Sequence, residues 1–303
     1  MDISQEPITE ETAVEQGKPE KRKFQLKIPE LETRDWVLIA LLLFAAIAPF
    51  WKMWEYAWQQ WFKDTGYYQH GIFVPLLVGY MLWRRWDDLR QVSVQPATWA
   101  IAIVVLGALV GWWGSRVDSQ VVRQFGFMVF LFGSCLYVLG TKVTRALLIP
   151  IILVGFMLPL PDLVFSQMTN SGQVYSTKLA VKMLDFLGYE PHMVNNSVIT
   201  LDNYQMEVGV PCSGFKLTMA LLMFGLFFCS IARFNWWRSI IMFLVLVPVA
   251  LIVNSWRVGM IGIFGEHFGD AAGKLFHDWG SYLELVLAYG ALFGLARLLG
   301  WKE

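Results

Sequence analysis

Charge is scarce in this 303-residue chain: Asp, Glu, Lys and Arg make up 16% of it, against 56% hydrophobic residues. An average globular protein carries roughly 25% charged residues, so an ordinary soluble enzyme with a solvated shell is excluded. The formal net charge of zero removes the basic footprint that a nucleic-acid partner needs. Cysteine is scarcer still. Cys135, Cys212 and Cys229 are too few and too scattered for a disulfide framework. None of the four histidines has metal-ligand spacing with Cys212, so neither a metal nor a cofactor is expected. An early apolar stretch of the signal-peptide kind is missing too. Residues 1–35 are polar and rich in Glu and Lys, and are expected to form a disordered cytoplasmic tail.

What fills the rest of the chain is apolar sequence in blocks rather than stripes. That pattern suits helices solvated by lipid, each of which pairs its own backbone polar groups. Eight blocks lie near residues 36–50, 70–86, 97–113, 124–140, 143–161, 213–232, 238–263 and 280–300. The expected fold is therefore an all-α polytopic membrane protein of about eight transmembrane helices, with the tail at 1–35 and a membrane domain at 36–303. A tight Gly140-Thr141-Lys142 turn is expected between the fourth and fifth blocks. With the tail inside, 15 of the 24 Lys and Arg residues fall on its side, as the positive-inside rule asks. Trp83, Trp86, Trp236, Trp237 and Trp301 fall at inner boundaries and Trp112 and Trp113 at an outer one, as in aromatic belts. Trp51, Trp54, Trp58 and Trp61 repeat at helical spacing, which fits either an amphipathic helix on the outer surface or one packed on its neighbours.

The one long polar insertion, residues 162–211, then faces outward. Ser166 to Leu187 carries apolar residues at helical spacing and reads as an amphipathic helix. Val194 to Thr200 and Tyr204 to Val208, split by Leu201-Asp202-Asn203, read as a short β-hairpin that delivers the chain to Cys212.

Cys135 and Cys229 sit inside apolar runs, where a thiol acts as a small hydrophobe. Cys212 does not. It stands in Gly209-Val210-Pro211-Cys212-Ser213-Gly214, at the expected start of a span, where free amides and the helix dipole favour a thiolate and can bind an oxyanion. A cysteine serving only as a small cap residue is the plain alternative. Asn254-Ser255-Trp256-Arg257 lies deep in the seventh block. Asn254 and Arg257 share a helix face, and a charge there faces a cavity, meets a partner or snorkels to the interface. His277-Asp278-Trp279-Gly280 precedes the last block. His70, His192 and His267 also fall at outer positions, and sequence logic does not choose among the four. A thiolate nucleophile needs a base and an oxyanion stabiliser; Cys212, His277 and Arg257 supply these types on one side of the membrane.

These motifs resemble the exosortase/archaeosortase family. The matching pieces are Pro-Cys-Ser-Gly at 211–214, Asn-Ser-Trp-Arg at 254–257 and His-Asp-Trp-Gly at 277–280, with Tyr68-Gln69-His70-Gly71-Ile72-Phe73-Val74-Pro75 and Trp83-Arg84-Arg85 earlier. The tryptophan-rich, long-tailed form is similar to cyanobacterial-type exosortases. The resemblance implies a multi-pass protein of the bacterial inner membrane with an outward-facing site. Cys212 would be the nucleophile, Arg257 the oxyanion stabiliser and His277 the proton shuttle, with Ser213, Gly214, Asn254 and Asp278 in support. The implied partners are the bilayer and exported proteins with a C-terminal sorting signal, a Pro-Glu-Pro-like motif followed by an apolar helix and a basic cluster. The product would pass to an unnamed outer-face acceptor. The competing reading is a non-enzymatic transporter or polysaccharide-export component with Arg257 as a pathway charge. A thiol–disulfide oxidoreductase is disfavoured, because no second cysteine lies near Cys212 in an outer loop.

Overall fold

The computed structural model describes residues 48–63, 66–92 and 94–301; the expected tail at 1–35 and all but the last three residues of the expected first span lie outside them. The described chain opens with α1 (Trp51–Trp61), α2 (Val74–Arg84) and the short α3 (Trp86–Gln91). Then come α4 (Ile101–Arg116), α5 (Gln120–Ala146), α6 (Leu148–Gly155) and α7 (Asp162–Phe186). Three strands follow, β1 (His192–Val194), β2 (Val198–Thr200) and β3 (Gln205–Glu207), and then α8 (Phe215–Ile231), α9 (Trp236–Phe268) and α10 (Asp270–Leu298).

Among the described residues four helices are long and apolar enough to cross a membrane, at 98–116, 120–146, 236–268 and 270–298, and only 22–33% of each apolar window is buried. Their outward faces carry large bare side chains such as Leu244, Ile252 and Val286, which water would not tolerate over such an area. The chain is a helical membrane protein. The count of eight spans is not confirmed. The expected spans at 70–86 and 143–161 contain the 11-residue α2 and the 8-residue α6, about 17 and 12 Å long at 1.5 Å per residue; a bilayer core is roughly 30 Å thick. Pro75 at the start of α2 and Pro159 and Pro161 beyond α6 limit their length. The break expected at 140–142 is present: Gly140 leaves helical geometry (φ 78°, ψ 175°) and divides α5 into two helical stretches.

Glycine lets α4 and α5 touch backbone to backbone. A Cβ at Gly107 would stand 2.4 Å from Phe130 N, and one at Gly126 2.4 Å from Gly111 N, the close approach that small residues allow between membrane helices. The tryptophan-rich α1 packs one face inward: Trp61 is buried and donates to Met157 O at 2.8 Å, and Trp54 meets Phe127 edge-on. Trp51 and Trp58 stay exposed.

The polar insertion forms α7 and a three-stranded antiparallel meander, β1-β2-β3. Ile199 pairs with Met206 in register, so the expected hairpin is present with one strand more. Ile199, Leu201, Met206 and Val208 pack on Ala180 and Leu184 of α7 and on Val258 and Ile261 of α9, and Cys212 belongs to this same cluster. Tyr204 lies over Gly265 and Gly273, on either side of the turn joining α9 to α10. That turn is the single residue Gly269 (φ 80°), a backbone region that favours glycine. It folds α9 and α10 into an antiparallel hairpin.

Candidate active site around Cys212

From β3 the chain runs through Val208 and Gly209 into one 3-10 turn, Val210–Cys212, with Pro211 near its start. Sequence reasoning sets Cys212 in the mouth of a helix, and the structure sets it just before. The helix begins only at Phe215, after Gly214 has turned the chain through the left-handed region (φ 73°). Ser213 Oγ accepts from the Phe215 N–H at 3.4 Å, so the first helix amide already has a partner. Two contacts fix the turn. A Cβ at Gly172 of α7 would fall 2.3 Å from Ser213 O, and one at Gly214 would crowd Asn254 at 3.2–3.3 Å.

Asn254 is fully buried. Its Nδ2 donates to Cys212 O and to Ser176 Oγ, both at 2.8 Å, tying the turn to α9 and α7. One helical turn on, Arg257 is only 4% exposed, which rules out snorkelling. Its Nη1 donates to Glu284 Oε2 at 3.1 Å, and its Nη2 lies 3.9 Å from Cys212 Sγ. Arg257 is therefore not the lone fixed cation that the sequence suggests: a buried carboxylate shares its charge and holds its orientation. Glu284 is the residue that sequence reasoning misses. Its signal was available, since a carboxylate within the apolar block at 280–300 needs a partner for the same reason that Arg257 does. Gly280 makes room, with Arg257 Cγ 3.5 Å from where its Cβ would be.

The first ten residues of α10, Asp270 to Trp279, carry Asp270, Lys274, His277 and Asp278 and extend it beyond the roughly 20 residues a span uses. His277 sits in this extension, outside the spanning stretch. Its ring lies near enough to the Cys212 thiol to interact with it, and Nδ1 meets Asp278 Oδ1 at 3.0 Å. The imidazole is pushed up to about 8, chiefly by the neighbouring Cys212 and further by Asp278; partial burial and the Arg257 charge oppose this. Of the other histidines, His70 lines the same cavity as Arg257 and His277, and the remaining two lie elsewhere. His70 is buried in a 3-10 turn at Gln69–Phe73, His192 is exposed on β1, and His267 bonds Tyr189 at 2.7 Å.

Cys212, Ser213, Gly214, Asn254, Arg257, His277 and Asp278 thus converge, from an extended turn and both arms of one helical hairpin. A thiol, an imidazole near it and a guanidinium beside the sulfur are the parts of covalent acyl chemistry. Long lipid-facing helices with such a buried polar cluster define the class, a polytopic helical membrane protein built around one site. The family model described as transmembrane exosortase matches residues 54–294, and the chain belongs to the transmembrane exosortase family. No curated protein and no solved structure matches it.

Proposed function

We propose that this exosortase is a membrane cysteine peptidase and transpeptidase that cleaves the C-terminal sorting signal of exported proteins. The observation that carries this reading is the meeting of Cys212, His277 and Arg257. Family membership supports it, because exosortases are as a class cysteine transpeptidases. In the first half-reaction the Cys212 thiol passes its proton to His277 and the sulfur attacks the scissile carbonyl. Arg257 Nη2, 3.9 Å from that sulfur, donates to the oxygen as it gains charge. His277 then protonates the departing amine and the acyl group stays on Cys212 as a thioester. An acceptor on the outer side of the plasma membrane takes the acyl group in the second half-reaction. Asp278 holds the ring and favours its charged form.

The test is processing of a tagged substrate that ends in a Pro-Glu-Pro-like motif, an apolar helix and a basic cluster. Cys212→Ala is expected to reduce its processing by roughly 1,000-fold or more, the scale of nucleophile removal. Processing at the wild-type rate would sink the reading. A transporter using Arg257 as a pathway charge requires the reverse pattern, with Arg257→Ala harmful and Cys212→Ala silent.

A further inference from the structure

Two cavities flank His277, and Cys212 lines the smaller of them. The larger, about 540 Å³, is lined by Lys216, Leu217 and Phe224 of α8, by Arg257, and by Ser281 and Tyr289 of α10. The smaller, about 230 Å³, is lined by Cys212 itself, Glu207 of β3, and Asp270 and Lys274 of α10. His277 lines both. The two differ in shape and in chemistry. Lys216 to Phe224 covers about 12 Å of helix axis and His277 to Tyr289 about 18 Å, so the larger cavity runs lengthwise between helices. Its volume falls in the roughly 300–1,000 Å³ range of sites that enclose a ligand. The smaller lies at the sheet end, beside the exposed side chains Glu207, Asp270 and Lys274.

Polar atoms without partners are divided just as unevenly. Arg257 Nε, Asn254 Oδ1 and Glu284 Oε1 are buried and have no hydrogen-bond partner. All three residues line the larger cavity and none lines the smaller. Unpaired buried polar groups are destabilising, so a ligand that brings both a hydrogen-bond acceptor and donors is favoured there. A peptide backbone does so, with C=O for Arg257 and N–H for Asn254 and Glu284. A phosphate offers only acceptors and would meet Glu284 with like charge.

We propose that the cavities separate the two half-reactions: the larger holds the donor peptide, and the smaller admits the acceptor, a hydrophilic nucleophile bearing an N–H or O–H. The proposal rests on the peptidase/transpeptidase reading. With the donor in the larger cavity, its scissile carbonyl meets Cys212 at the border of the two spaces, beside Arg257 Nη2, 3.9 Å from the sulfur; there the sulfur–carbon bond forms, the carbon–nitrogen bond breaks, and the amine leaves with the proton from His277. From the smaller cavity the acceptor gives its proton to the now neutral His277, bonds the acyl carbon, and the thiolate of Cys212 departs. Because His277 borders both spaces, one ring serves both steps without moving.

Single-turnover measurements on the full chain in lipid vesicles separate the steps, using the tagged substrate as donor and water or added hydroxylamine as acceptor. The readouts are formation and decay of the Cys212 thioester. Glu207→Trp and Lys274→Trp fill the smaller cavity from exposed positions; they are expected to form thioester at the wild-type rate and to slow its decay about tenfold. Lys216→Trp and Ser281→Trp fill the larger and are expected to slow formation about tenfold with decay unchanged. The partition is overturned if the two sets exchange effects, change both rates alike or change neither. If wild-type protein forms no Cys212-dependent adduct at all, the peptidase reading falls and the partition falls with it; a partition failure leaves wild-type adduct formation intact.

Discussion

Arg257 and Glu284 form an ion pair with both side chains under 10% exposed, and such pairs have an asymmetric energetics. Two matched buried charges roughly break even against apolar residues, whereas one left alone is expensive. Glu284→Ala is therefore expected to destabilise the protein by about 3–5 kcal/mol, read as thermal unfolding in detergent, and to abolish processing. Arg257→Met combined with Glu284→Leu should recover the stability and not the activity. A double variant as unstable as the single one would show that the charge pair is not the cause. His277 yields a prediction in pH. Its value is raised to about 8 from the ordinary 6.5, so its interactions in the folded state are complete below about 6.5 and fade as pH rises through about 8. Asp278 is one of the groups that raises it, so Asp278→Asn must move the loss of the His277 proton to lower pH. The lower arm of the pH–rate profile, along which His277 becomes neutral and able to take the thiol proton, shifts acidward as a result. An unchanged arm would detach Asp278 from the proton shuttle.

At the level of elements, the glycine contacts between α4 and α5 make the sharpest prediction. With backbone atoms 2.4 Å from a Cβ at Gly126, no side-chain rotation relieves a larger residue, and the two helices must part. Gly126→Val is expected to destabilise the protein by about 1–3 kcal/mol through overpacking. The rate of Cys212 alkylation in the folded protein should not change, because neither helix lines the cavities at that residue. Elements with strong local periodicity were legible in the sequence. The helix expected at 166–187 is observed at 162–186, and the hairpin expected from Val194 to Val208 is the β2–β3 pair. Elements that fail did so for a shared reason. Blocks 70–86 and 143–161 are apolar enough for a span, but hydropathy averages over proline and glycine, which cut both into short helices. The helix after Cys212 is displaced by the same kind of detail: Gly214, in the left-handed region, starts it two residues later than the apolar run suggests.

For the whole molecule, orientation in the membrane is tested by labelling. If the tail is inside, a membrane-impermeant maleimide added to intact cells reaches Cys212 through the smaller cavity and spares Cys135 and Cys229, both in helices of the membrane domain. Labelling of Cys212 only after permeabilisation would reverse the orientation. Membrane residence was readable without any structure, because lipid acts on each segment separately and hydropathy is a local property. So were the chemically interesting residue types, since a thiol between Pro and Ser-Gly and an arginine within an apolar block are anomalies where they stand. Choosing among four histidines was not readable, nor was finding Glu284 or counting the spans. Those answers depend on contacts between distant positions. Cys212 and Arg257 are 45 residues apart and Arg257 and Glu284 are 27 apart. No periodicity reports such separations; Asn254, bonded to Cys212 O, closes the first, and the α9–α10 hairpin, turning on Gly269, closes the second.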